Sequence, residues 1–190
     1  MNVLLLGPQG SGKGTQAKKI SEAYGIPHIA TGDLYRAAIA SGSDLGKRVE
    51  PLLKAGELVP DEITIPLIRE KVLEADDGFV LDGYPRNLAQ AEALDELLEE
   101  IGRPLSIILL LELSDDTARE RLTKRAALEG RADDQPEAID RRLRDYHTKT
   151  EQVVDHYLAS GKLVKMHAER PIDEVWAEVA DALEQVEARA

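Results

Sequence analysis

Four glycines, one lysine and two hydroxyl residues follow directly on three leucines in the stretch LLLGPQGSGKGTQ, Leu4 to Gln16. Glycine in such number weakens helix and strand alike, so its presence implies a need for bare backbone. Gly7, Gly12 and Lys13 have the spacing G-x-x-x-x-G-K of a phosphate-binding loop. In such a loop backbone N–H groups surround an anion, the following helix adds its positive end, and the lysine adds a mobile charge. The motif needs a strand before it and a helix after it. NVLLLG reads as a short buried strand, and KGTQAKKISEAYG as a helix closed by Gly25. Gly14 follows Lys13 where Ser or Thr is common, and the hydroxyl comes one place later at Thr15.

The second chemical segment is FVLDGYPRN. Asp82 ends an apolar run, where a carboxylate helps to hold Mg²⁺ beside a nucleotide phosphate. Magnesium keeps several waters, so Asp82 is expected to act through them. An acid at a strand end can instead be only the cap of the next helix; the phosphate loop favours the magnesium role. Tyr84-Pro85 is a candidate cis peptide, and Arg86 follows it. Arg119, Arg121, Arg125, Arg131, Arg141, Arg142 and Arg144 then crowd one region. Arg121 and Arg125, four apart, share one helix face. Singly, each arginine could pair with a neighbour such as Glu120, Glu129 or Asp145. As a set they suit phosphoryl transfer, which moves negative charge between two ligands. His28, His147, His156 and His167 lack metal-ligand spacing and receive no role. Trp176, in an amphipathic C-terminal helix, reads as core.

The elements that must position these groups follow from the apolar runs. NVLLL, PHIA, FVLD, SIILLLEL and LVKMH are strand-like and alternate with helical patterns. Such alternation implies right-handed crossovers and a parallel sheet, and unbroken apolar strands imply helices on both faces. Ligands then bind at the carboxyl ends of the strands, where the phosphate loop lies. Two stretches break the alternation. Thr31 to Pro60 reads as short helices interrupted at Gly42 and Gly56, and Ala126 to Pro136 as a polar loop between charged helices. Both could be surface decoration or, as short insertions at strand ends, flaps over a site. The chain of 190 residues suits one α/β core with small insertions. A net charge of −12 argues against a polymeric nucleic-acid partner, whose phosphates demand lysine and arginine. The absence of cysteine excludes disulfides and thiolate zinc sites. No run approaches the ~20 apolar residues of a membrane span. The expectation is a cytoplasmic monomer.

The ordered motifs resemble those of the adenylate kinases, within the nucleoside monophosphate kinases, from Met1 to the C-terminal helix. GPQGSGKGT is similar to that family's phosphate loop, TGDLYR and GELVPDE to the two ends of its AMP-binding insertion, DGYPRNLAQ to its Asp-Gly-Phe-Pro-Arg segment, and GRADD with RRL to the end of its lid. The resemblance implies a P-loop three-layer α/β fold, with a five-stranded parallel sheet flanked by helices. Residues 1–30, 61–125 and 137–190 would form the core, 31–60 the helical AMP-binding insertion, and 126–136 a lid of the short form. It implies ATP contacts from Gly10, Ser11, Gly12, Lys13, Gly14, Thr15, Arg121 and Arg125, with backbone near Arg170 at the adenine. AMP would meet Thr31, Arg36, the backbone of Glu57, Leu58 and Val59, then Gly83, Tyr84, Pro85, Arg86 and Gln90, with Arg131 and Arg142 at the phosphates. Gln9, Tyr84 and Asn87 depart from the commoner residues, and Asn87 is frequent in UMP/CMP kinases.

The implied reaction is ATP + AMP ⇌ 2 ADP with Mg²⁺, in the service of adenine nucleotide homeostasis. ATP, AMP and ADP would be the partners, with no zinc. Lys13, Arg86, Arg121, Arg131 and Arg142 would carry catalysis by positioning and charge; the acceptor phosphate is already anionic and needs no general base. A UMP/CMP kinase is the nearest rival. A small GTPase is another, but the guanine-reading Asn-Lys-x-Asp stretch is absent. Gln90, four residues after Arg86, would share its helix face and read the adenine edge, while Asn87 caps the helix. Metal analysis of the purified protein should find no structural zinc, and chelators should leave its melting temperature unchanged. Stoichiometric zinc would refute this reading of the short lid.

Overall fold

The apolar runs become the strands of one sheet, and the amphipathic stretches between them become its covering helices. The computed structural model describes residues 1–188. In chain order these form β1 (Asn2–Leu6), α1 (Lys13–Tyr24), β2 (His28–Ala30), α2 (Thr31–Ala40), α3 (Asp44–Lys54), α4 (Asp61–Glu74), β3 (Phe79–Asp82), α5 (Leu88–Glu100), β4 (Ile107–Glu112), α6 (Asp115–Glu129), α7 (Pro136–Asp145), α8 (Glu151–Leu158), β5 (Leu163–His167) and α9 (Ile172–Glu187). A 3₁₀ turn spans Ala132–Asp134, and a π-helical turn at Tyr146–Thr150 joins α7 to α8. The sheet runs β2-β3-β1-β4-β5, all parallel, with Val3 opposite both Val80 and Ile107.

Both faces of the sheet are covered, which explains why its strands show no apolar–polar alternation. Leu4 and Leu6 of β1 join Phe79, Leu94 and Ile108 in one core. Val3 and Leu5 join Ile20, Leu109 and Val179 in the other. Each leucine so buried contributes about 1.5–3 kcal/mol. Trp176 of α9 packs on the second core but stays half-buried, with Lys19 Nζ 5.6 Å from its ring centroid. From β1 the chain first builds β2 and β3 on one side, then crosses to β4 on the other. The carboxyl end of β1 is therefore the switch point where such sheets open a crevice.

The two irregular stretches acquire their form from local chemistry. The 31–60 region folds as α2 and α3 around a small core of its own, Tyr35, Val49 and Val59. Ser43 starts α3 by accepting the Gly46 N–H (3.1 Å). Beyond Arg125 the expectation of a loop from Ala126 is corrected. α6 continues to Glu129, because AALE consists of good helix formers, and ends at Gly130 with φ 62°. Among the described residues no helix is long and apolar enough to cross a membrane.

Gly46 marks where α2 and α3 touch. A Cβ built there would lie 2.1 Å from Ala38 O. Helix propensity alone makes Gly→Ala stabilising by up to ~1 kcal/mol; the contact reverses the sign. Gly46→Ala should lose about 1–3 kcal/mol in urea unfolding. A more stable variant would show that the helices separate freely.

Candidate active site

The strand order gathers the chemical segments at one edge of the sheet. The phosphate loop leaves β1, and Asp82 ends β3 opposite Leu5. The loop winds tightly: Ser11 N–H donates to Pro8 O (3.2 Å), and Thr15 and Gln16 N–H both donate to Gly12 O (3.0 Å). Gly12 opens α1 with φ 90°, a conformation other residues rarely adopt. At Gly7 a Cβ would lie 2.4 Å from Leu111 O, so only glycine lets β1 turn beside β4. Lys13 Nζ folds back over the loop and donates to Gly7 O (2.7 Å) and Pro8 O (2.8 Å). The Ser11 hydroxyl is buried and has no hydrogen-bond partner among the described residues.

These groups line a cleft of about 1300 Å³. Ten lysines and arginines line it against five acidic residues, the reverse of the chain's overall balance. The site residues Gly10 to Thr15, Arg36, Asp82, Gly83, Pro85, Arg86, Arg121, Arg125, Arg131, Arg142 and Arg170 all belong to this lining. A smaller chamber beside it is lined by Thr31, Glu57, Leu58, Val59 and Gln90, among others. Arg36, Gly83, Arg86 and Arg142 line both.

Crowding of cations leaves a mark on their protonation. Burial, and then repulsion from Arg86, Arg142 and Arg125, lower the Lys13 ammonium to about 8 despite attraction by Asp82. Burial, then the neighbouring Arg86, lower Arg142 to about 10. Burial likewise lowers Arg86. Burial would raise Asp82, but His28, Lys13 and Arg86 outweigh it and hold the carboxyl below its ordinary value. The His28 Nε2 to Asp82 Oδ2 distance is 3.4 Å.

Two aspartates hold together the arginines around the 126–136 segment. Asp134 is buried; it receives Arg125 Nε (2.6 Å) and Nη2 (2.8 Å), and Arg142 Nη1 (2.8 Å). Asp133 receives Arg131 Nη2 (3.1 Å) and lies 3.8 Å from Arg36 Nη1 of α2. Arg121 donates weakly to Gly10 O (3.4 Å) and Glu169 O (3.3 Å). An ion pair of Arg141 with Glu57 joins α7 to the 31–60 region. A Cβ on Gly56 would come within 2.6 Å of Ala138 O, so the 31–60 region packs directly on the start of α7.

Some expectations change in detail. The Tyr84 ring lies in the core and lines neither chamber; its Oη donates to Gln90 O (3.0 Å). The Tyr84-Pro85 bond is cis. Arg86 precedes the helix, so helical spacing does not align it with Gln90. The link is instead a hydrogen bond from Arg86 N–H to Gln90 Oε1 (2.8 Å). Asn87 caps α5 by accepting the Gln90 N–H (2.9 Å). The histidine spacings gave no signal for His28, whose contact with Asp82 depends on the pairing of β2 with β3. Asp133 and Asp134 had a visible signal, two acids between Arg131 and Arg142, but their pairings did not.

Comparison with known proteins agrees with this geometry. A family model described as Adenylate kinase matches residues 5–162. An adenylate kinase of Stenotrophomonas maltophilia (strain R551-3) is 46% identical over 185 residues, covering 96% of this chain and 99% of that protein. Adenylate kinases of Xanthomonas campestris pv. campestris (strain B100) and Xanthomonas axonopodis pv. citri (strain 306) are each 45% identical over the same shares. With its phosphate loop, its paired chambers and this likeness along nearly the whole chain, the protein belongs to the adenylate kinase family of phosphotransferases.

Proposed function

We propose that the large cleft takes ATP, that the smaller chamber takes AMP, and that the phosphoryl group passes where the two share Arg36, Arg86 and Arg142. That shared wall is the observation that carries the reading. An acceptor phosphate in the small chamber and a donor phosphate on the loop would meet on the same guanidinium groups. The loop amides, the Ser11 hydroxyl and Lys13 hold the donor phosphates. Arg86, Arg121, Arg131 and Arg142 stabilise the charge of the group in flight. Arg125 and the turn around Arg170 complete the donor side. Thr31, Glu57 to Val59, Gly83 and Gln90 complete the acceptor side. Tyr84 and Pro85 act by shaping the Arg86 turn.

Region 31–60 acts as the AMP-binding insertion and 126–136 as the lid, over a core of 1–30, 61–125 and 137–190. Closing both excludes water, which would otherwise compete as acceptor. Magnesium travels with ATP and neutralises phosphate charge when bound. The donor set suits such an ion: Asp82 is an ionised carboxylate on the cleft wall, and the described residues contain no acid or histidine cage that would strip a metal of its waters. The enzyme works as a monomer in the cytoplasm, balancing the adenine nucleotides. The acidic surface and the scattered positions of the exposed leucines support that reading.

Arg142→Lys keeps a charge but loses the planar fork that binds two oxygens at once. It should lower kcat more than either KM, by ~2–4 kcal/mol in transition-state stabilisation. A rise in KM alone would make Arg142 a ground-state contact. The second test uses pH. The lowered ammonium is charged below about 8 and neutral above it. Therefore kcat/KM for ATP should fall as pH rises through about 8, while kcat, reporting the loaded enzyme, holds. A flat profile to pH 9.5 would show that the Lys13 ammonium keeps its charge in the empty cleft. In a coupled assay AMP should outrun CMP and UMP; equal rates would favour a UMP/CMP kinase.

A further inference from the structure

Both ends of the Gln90 carboxamide are held by the protein. Its Oε1 accepts the Arg86 N–H at 2.8 Å, and its Nε2 donates to Asp61 Oδ1 at 2.7 Å. Asp61 is the first residue of α4, far from the phosphate loop in sequence and outside the lining of the small chamber. The same carboxylate receives Asn87 Nδ2 at 3.0 and 3.3 Å, so the residue that caps α5 also steadies Asp61. Gln90 itself is buried and faces the chamber.

The two partners of the amide are of opposite kinds. A backbone N–H only donates, and a carboxylate only accepts. Rotating the amide by half a turn would set oxygen against carboxylate and NH₂ against N–H. An amide's orientation is defined by its partners, and here both partners demand the same one. We propose that Asp61 is a positioning residue that sets base selectivity by locking the Gln90 carboxamide in one orientation.

The consequence lies in what the amide has left to offer. One lone pair on Oε1 and one hydrogen on Nε2 remain unused. An acceptor beside a donor complements a 6-aminopurine, whose exocyclic amine donates beside the N1 acceptor. A 6-oxopurine presents the reverse pair, an oxygen acceptor beside an N1–H donor. The locked amide therefore accepts AMP and opposes IMP, although the two bases have nearly the same shape. An amide free to rotate would serve both. The inference rests on the reading of Gln90 as the base contact, so the experiment separates the two.

The measurement is kcat/KM for AMP and for IMP, with KM for ATP and the melting temperature alongside. In Asp61→Ala the AMP:IMP preference should fall by about tenfold or more, partly through a gain with IMP, while KM for ATP is unchanged. A merely structural role would lower both acceptors and give no gain. Asp61→Asn keeps a carbonyl acceptor and should retain most of the preference. If Asp61→Ala does not fold, Asp61→Ser takes its place, since a hydroxyl serves either end of the amide and so removes the Asp61 half of the lock, leaving the Arg86 N–H alone to favour the original orientation. An unchanged preference in the folded variant, or AMP and IMP falling together, overturns the proposal. So does an Asp61→Asn enzyme as unselective as Asp61→Ala, because charge and not the acceptor would then matter. Gln90→Leu separates the premise. If it leaves the preference intact, the base-contact reading fails; if it erodes the preference while Asp61→Ala does not, the lock alone fails.

Discussion

Several positive charges share one buried space, and most of the architecture bears on that fact. Lys13, Arg86, Arg125 and Arg142 repel one another in a medium that screens them poorly. Left alone, such a cluster would disperse or lose protons. Asp82 attracts it from the strand side, and Asp133 and Asp134 from the lid side. Burial, together with the repulsion that the carboxylates leave uncompensated, keeps the lysine depressed. A polyphosphate bound as proposed would supply the missing negative charge. The cluster is thus suited to an anion, and it exists within a chain that is strongly acidic overall.

The sheet is what keeps such a cluster in place. β1 lies between β3 and β4, with its apolar residues divided between two cores, so the start of the phosphate loop cannot shift without disturbing both. The flaps are tied down differently. The 31–60 region meets α7 through an exposed ion pair, Glu57 with Arg141, and a close approach of Gly56 to Ala138, and it meets the 126–136 segment where Arg36 lies 3.8 Å from Asp133. Exposed pairs of this kind contribute about 0–1 kcal/mol, far less than the cores. Rigidity is therefore concentrated at the phosphate loop, and the 31–60 region is held more loosely.

How much of this was legible in the sequence depended on distance along the chain. The phosphate loop is one contiguous stretch, and its glycines have local causes, so Gly7, Gly12 and Lys13 could be read directly. Asp82 could be read because it ends an apolar run beside that loop. The five strands followed from composition, but their spatial order did not, since order depends on crossovers. The end of α6 was misread because charged and small residues near Gly130 look like a loop while still favouring helix. Tyr84 was grouped with the AMP contacts by its motif, whereas its ring fills the core. The partnership of Asp61 with Gln90 spans 29 positions, and that of His28 with Asp82 needs two strands to pair. Neither leaves a spacing to recognise.

Trp176 is the single tryptophan of the chain, and its setting is uneven. One side of the indole packs on the core between α1 and α9; Lys19, itself paired with Asp173 at 3.1 Å, covers another. Emission excited beyond the absorption of the five tyrosines therefore has one origin, and that origin sits in the frame between α1 and α9. It would follow the parting of α1 from α9, making the indole a built-in gauge of whether the frame itself is intact.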